Sequence, residues 1–246
     1  RSVFLSSKNP MDGFLQIMKM GFAGRGFLKK SAFSGHFASE GINDKEAKIK
    51  LAAARSIARK YGKEVANSIP VYFHANPFMP LTPILGPNGE LWKPTHSILP
   101  FSKVLKHDDD FESLMIEYKD KMERHEVTMT RMFSFIDSNA FLYEPTFLWK
   151  DKQSIYHKKV YPLDLDSIPV HEHNPEGLKL VHEIKERIDA MCLANGAIHL
   201  QIGKDYPYLQ TRTKETKALL CSLKKQFDPK NLINPGSLGF DPVNGN

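Results

Sequence analysis

A chain of 246 residues, 41% hydrophobic and 25% charged, has enough apolar material for a sizeable core and the balance of an ordinary globular protein. No apolar run approaches the roughly 20 residues of a membrane span, and the net charge of +6 is interleaved with acids, as in Asn43–Lys50, unlike a concentrated nucleic-acid footprint. Two cysteines, Cys192 and Cys221, exclude a disulfide framework and read as free thiols; the segment after Arg1 lacks the apolar region of a signal peptide, so a cytoplasmic chain is expected, with a periplasmic one as the alternative.

In chain order, residues 1–30 read as a connecting segment, followed by a short strand at Ala32–Ala38. A helix is expected over Lys45–Tyr61, with Ala47, Ile49, Leu51, Ala54, Ile57 and Ala58 mainly on one side, Asn43-Asp44 as cap and Gly62 as stop. A strand at Ile69–Phe73 precedes Pro77–Pro100, a stretch with six prolines. Its Gly86-Pro87-Asn88-Gly89 run reads as a tight turn, so we expect a structured excursion of the kind that carries function. A short helix at Asp108–Lys121 leads into strands at His125–Phe135 and Phe141–Trp149. The helix Pro175–Ala194 carries Asn174 as cap, Pro175 at its first position and Asn195-Gly196 as stop; a strand at Gly196–Ile202 and a helix at Lys214–Phe227 follow. Twice a strand, a long helix and a strand succeed one another. That order predicts an α+β fold: an antiparallel sheet with helices packed on one face, of the ferredoxin-like split βαβ sort, then a C-terminal helix and tail. The expected division is 1–30, 31–212 and 213–246.

Self-sufficient catalytic signatures are absent: the chain has no glycine-rich phosphate loop, no Gly-x-Ser-x-Gly elbow and no His-Glu-x-x-His helix. His171-Glu172-His173, with His182 on the next helix, could supply metal ligands, but a solvated loop before a helix cap explains the run better, and no metal is expected. Three segments are harder to explain by packing: Gly86–Ser102 with His96, Asn195–Tyr208 with His199, and Lys224–Gly239, where Phe227-Asp228-Pro229 and Asn234-Pro235-Gly236 pin the terminus.

These three, in this order and each near a helix, resemble the C-terminal half of FAD-linked oxidases of the vanillyl-alcohol oxidase and 4-cresol dehydrogenase type, over roughly residues 10–240. The resemblance extends to glycolate oxidase and D-lactate dehydrogenase flavoproteins. It implies a substrate cap domain that closes over the flavin ring of FAD and oxidises an alcohol, a phenolic alcohol or a 2-hydroxy acid. Nothing in the chain resembles the FAD-binding half, which would lie in the same precursor or in a separate partner chain. His96 and His199 would be nearest the chemistry, with His96 also a candidate for covalent flavin attachment or for lining the pocket. Asn234 and Lys204 would meet the cofactor, and Gln201, Tyr206, Tyr208, Arg131 and Glu144 the small-molecule substrate. In phenol-oxidising relatives an arginine stands two residues before the histidine; here that position is Ala197, which counts against a para-substituted phenol. Self-association is left open. The alternative is a non-catalytic α+β ligand-binding or interaction module.

Overall fold

The computed structural model describes residues 31–65, 85–86, 88–136, 138–160, 168–201, 203–206 and 208–240. The expected strand at Ile69–Phe73 and the connecting segment 1–30 lie outside the described residues. The chain divides into two compact units at Pro80/Leu81, inside the stretch expected to be a single cap domain, and the C-terminal segment after 213 belongs to the same unit as the sheet.

In the first unit, helix α1 spans Asp44–Ala58. Asn43 Oδ1 accepts from Glu46 N at 3.0 Å, and the Glu46 carboxylate reaches back to Ile42 N at 2.8 Å. Two otherwise orphaned amides are thereby satisfied. Residues 32–38, expected as a strand, are exposed and form none.

The second unit holds β1 (Leu91–Pro94), β2 (Ser97–Pro100), α2 (Phe101–Arg124), β3 (Val127–Ile136), β4 (Ala140–Trp149), α3 (Ile155–Val160), α4 (Pro175–Ala194) and α5 (Lys214–Phe227). The four strands form an antiparallel sheet around β4: β3 runs along one side in continuous register, while β1 and β2 share the other. The gap between β1 and β2 has a local cause. Thr95 N donates to Pro145 O at 2.9 Å, but proline has no N–H to return, so the ladder lapses at Thr95-His96. Beyond β2, Ile98 and Ile198 exchange two hydrogen bonds as an isolated bridge. The lateral order is therefore residue 198, β1/β2, β4, β3, with α2 and α4 each crossing over an interposed strand, which is the interleaved split βαβ layer expected.

Alternation puts Tyr143, Pro145, Phe147 and Trp149 of β4 on the face where helices pack, and all four are buried. Phe111, Leu114 and Tyr118 of α2 and Leu180, Val181, Ile184 and Ile188 of α4 complete that core. Phe147 and Phe111 are fully enclosed, each contributing about 2 to 3 kcal/mol by burial. The helix expected at Asp108–Lys121 starts earlier, directly after Pro100. Asp108 and Asp110, which resemble first-turn acids, are satisfied in mid-helix: Asp108 by Arg131 and Tyr143, and Asp110 by Lys106 one turn back and by Asn195 of the segment after α4. The helices α4 and α5 keep their expected bounds, with Asn174 and Thr213 accepting from Gly177 N and Thr216 N.

Candidate functional site

The strand expected at Gly196–Ile202 shrinks to the bridge at Ile198 because two histidines take over its hydrogen bonds. His96 sits in the gap between β1 and β2, 4% exposed. Its Nε2 lies 2.8 Å from Leu200 N and 3.2 Å from Gln201 N. Both are N–H donors, so Nε2 is unprotonated and Nδ1 carries the ring hydrogen, donated to the Tyr206 oxygen at 2.9 Å. The same oxygen accepts from His96 N at 3.3 Å. Burial, with the charges of His199 and Lys185 adding to it, pushes the His96 imidazole down to about 4, so it is neutral near pH 7.

His199 Nδ1 lies 2.7 Å from the His96 carbonyl oxygen. A carbonyl only accepts, so Nδ1–H donates and Nε2 is the ring nitrogen left over. The His199 ring stacks on Tyr206 with centroids 4.4 Å apart and planes 22° apart. Lys185 of α4 lies over the other aromatic partner in this group, its Nζ 4.8 Å from the Tyr206 centroid, and donates to Asp189 at 2.6 Å and to Asp205 O at 2.7 Å. Burial holds the Asp189 carboxyl above its ordinary range in spite of that lysine.

Beside these rings lies a recess of about 150 Å³, lined by Ile198, His199, Gln201, Tyr206, Tyr208, Thr211 and Arg212. Tyr208–Thr211 is a 3₁₀ turn leading into α5. Arg212 is held there by Thr211 Oγ1, at 3.1 Å from Nε and 2.8 Å from Nη2, and its guanidinium lies 4.8 Å from the Tyr208 ring centroid.

The C-terminal tail docks on the same segment. Leu238 N donates to Gly203 O at 2.6 Å, and Leu238 holds φ of 62°, a conformation costly for a branched side chain and kept by that contact. Upstream, the Asp228 carboxylate accepts from Leu232 N at 2.8 Å and Ile233 N at 2.9 Å, which fixes the turn after α5. His96, near the end of the Pro-rich stretch, and Leu238, beyond the Asn-Pro-Gly turn, therefore both bond to the segment that carries His199 and Gly203.

Several expected site residues fall elsewhere or play another part. His96 is not a lining residue: both ring nitrogens are engaged, and it holds the 199–206 segment from behind. Arg131 belongs to the helix-covered face, where it pairs with Asp108 and Glu112 and contacts Tyr143 O–H, because its position on β3 shares the parity of Tyr143 and Phe147. Glu144 has the opposite parity and stands across from His96 in the β4 register; it is half-buried, with its carboxyl raised by desolvation. Lys204 and Asn234 are exposed on the two pieces of chain joined at Leu238 and Gly203, Asn234 with φ of 46°. The His171-Glu172-His173 run forms no metal cluster among the described residues; His171 is bonded to Asn88 O and His173 to Asp151. Sequence reading passed over Thr211, Arg212 and the Lys185–Asp189 pair. The available signal was slight: an arginine four residues after Tyr208 at a helix entry, and an i, i+4 pair that reads as surface. Comparison with known protein families, with curated proteins and with solved structures returns no match for this chain.

Proposed function

We propose that this chain is the substrate-side cap of an FAD-dependent oxidoreductase that oxidises a CH–OH group, with His199 as the base that takes the hydroxyl proton. The observation carrying this reading is the fixed tautomer of His199: its Nδ1–H is spent on the His96 carbonyl, so Nε2 is the acceptor left for a ligand in the recess. His96 and Tyr206 are positioning residues that hold the base in that orientation.

The donor set suits one wall of a flavin site. Tyr206 and Tyr208 offer aromatic surface, and Lys204 and Asn234 are exposed polar groups on the adjoining loop and tail. A recess of about 150 Å³ is below the ~300 Å³ of a typical ligand pocket, so a second wall, the FAD-binding half, would complete it. FAD when bound supplies the two-electron acceptor. This chain's residues bind and orient the substrate, exclude water and remove the proton.

The test is to combine the chain with an FAD-binding half, in the same precursor or as a co-expressed partner, and follow anaerobic flavin bleaching by absorption. The wild type should bleach the flavin with a hydroxyl substrate. His199→Gln, with unchanged melting behaviour, should slow bleaching about 100-fold or more. A chain that retains no flavin in that complex, or a His199→Gln variant as fast as wild type, sinks the proposal.

The small recess also favours a second reading, a non-catalytic ligand-binding or interaction module. Ligand binding without any flavin reduction would select it.

A further inference from the structure

We infer that helix α5 and the turn after it form a docking surface for an anionic lipid bilayer: Leu219, Leu223 and Phe227 enter the headgroup boundary, and the neighbouring lysines meet lipid phosphate. This surface does not rest on the flavoenzyme reading.

The helices α2 and α4 bury Phe111, Leu114, Ile184 and Ile188 in the core, whereas α5 buries none of its residues. Its apolar side chains are nonetheless ordered. Leu219, Leu223 and Phe227 recur every four residues, so they project from one side of the helix, and they are 60%, 45% and 78% exposed. Beyond the helix, Leu232 and Ile233 are exposed as well. That exposure is built in: the buried Asp228 carboxylate accepts from both of their amides, at 2.8 and 2.9 Å, and Lys224 Nζ donates to Ile233 O at 2.6 Å. A fixed backbone that holds large apolar side chains in water marks a surface meant to be covered.

Charge identifies what covers it. Lys214, Lys217, Lys224, Lys225 and Lys230 stand between the start of α5 and Ile233, against Glu215 and Asp228 alone. Lys224 is paired with Asp228; the other four have no acidic partner among the described residues. An excess of positive charge makes pairing of α5 with a second copy of itself repulsive, so the occupant is anionic. A stable protein interface takes ~20 to 30 residues a side, far more than the five apolar residues of this helix and turn. An anionic bilayer requires neither a large area nor a complementary shape. Apolar side chains insert at the headgroup boundary, while lysine stems, apolar themselves, carry their ammonium groups to the phosphates. No described helix is long and apolar enough to cross a membrane, so this contact lies in the plane of the surface.

The experiment is cosedimentation of the full chain with vesicles of phosphatidylcholine alone and of phosphatidylcholine mixed with phosphatidylglycerol. Wild type should sediment with the mixed vesicles, stay in solution with the neutral ones, and be released by added salt. Leu223→Gln/Phe227→Gln should weaken binding roughly 10-fold or more through the apolar burial forgone, and Lys217→Glu/Lys225→Glu should abolish it. All four side chains are exposed, so thermal melting close to wild type establishes that each variant is folded. A wild type that ignores the mixed vesicles, or binds both kinds equally, overturns the inference, as do folded variants that bind as wild type does. Light scattering that finds a dimer broken by Leu223→Gln/Phe227→Gln would give the stripe to a second copy. Loss of vesicle binding on co-expression with an FAD-binding half would give it to that protein, and either result overturns the lipid surface.

Discussion

Acid should unfold this protein partly through His96, and the size of the effect follows from its surroundings. In the unfolded chain the imidazole takes up a proton near 6.5; in the fold it does so only near 4, because a charged ring would lie buried beside His199 and Lys185. The unfolded state therefore binds more protons between those values. Stability contributed by His96 is full above pH ~6.5 and is lost as the pH falls towards ~4. The gap between 6.5 and about 4, at about 1.36 kcal/mol per pH unit, corresponds to about 3 kcal/mol. His107 shifts in the same direction, so a wild-type curve alone would not isolate the effect. Urea unfolding of wild type and of His96→Gln, from about pH 7.5 to about 4, does isolate it. The glutamine oxygen can still accept from the Leu200 and Gln201 amides but does not titrate. The variant should start about 1 to 3 kcal/mol less stable at neutral pH and converge on wild type as the pH falls. Two curves that stay parallel would refute the neutral, doubly engaged imidazole on which the orientation of His199 depends.

Four further outcomes are expected. Tyr206→Phe removes the oxygen that accepts from His96 Nδ1–H and N–H and should cost about 1 to 3 kcal/mol in urea unfolding; a change below a few tenths would show that these bonds are not made in solution. Arg131→Met should lower stability by about 1 to 2 kcal/mol and leave flavin bleaching in the complex untouched, because Arg131 pairs with Asp108 and Glu112 on the α2 side of the sheet; slower bleaching would return it to the site. A thiol-reactive reagent should modify Cys221 in the native protein and reach Cys192, which is 1% exposed and pushed up to about 12 by burial, only in denaturant. Gly89→Ala places a β-carbon 2.3 Å from Pro169 O at φ of 79°, which should cost about 1 to 3 kcal/mol in thermal or urea unfolding; an unchanged midpoint would mean that the loop around Pro169 yields.

Much of the fold was legible because it is written in local chemistry. Asn174-Pro175 and Asn195-Gly196 bound α4, Thr213 and Asp228-Pro229 bound α5, and the alternation in β3 and β4 gives two strands with one buried face. That the three unusual segments come together was an expectation of the sequence; the structure bonds His96 and Leu238 to the segment that carries His199 and Gly203, while the recess is lined by residues between Ile198 and Arg212. Tertiary contact decided what no window of sequence contains. Pro145 cuts the neighbouring edge strand in two and so opens the gap that His96 fills. His96 then takes the amides of Leu200 and Gln201, which turns a strand-like sequence into a curved segment. Parity within β3 and β4, set by register, sends Arg131 to the helices and Glu144 to the opposite face. Whether an amphipathic helix finds a core for its apolar side depends on contacts between residues far apart in the chain, and for this reason the exposed side of α5 emerged only once the chain was folded.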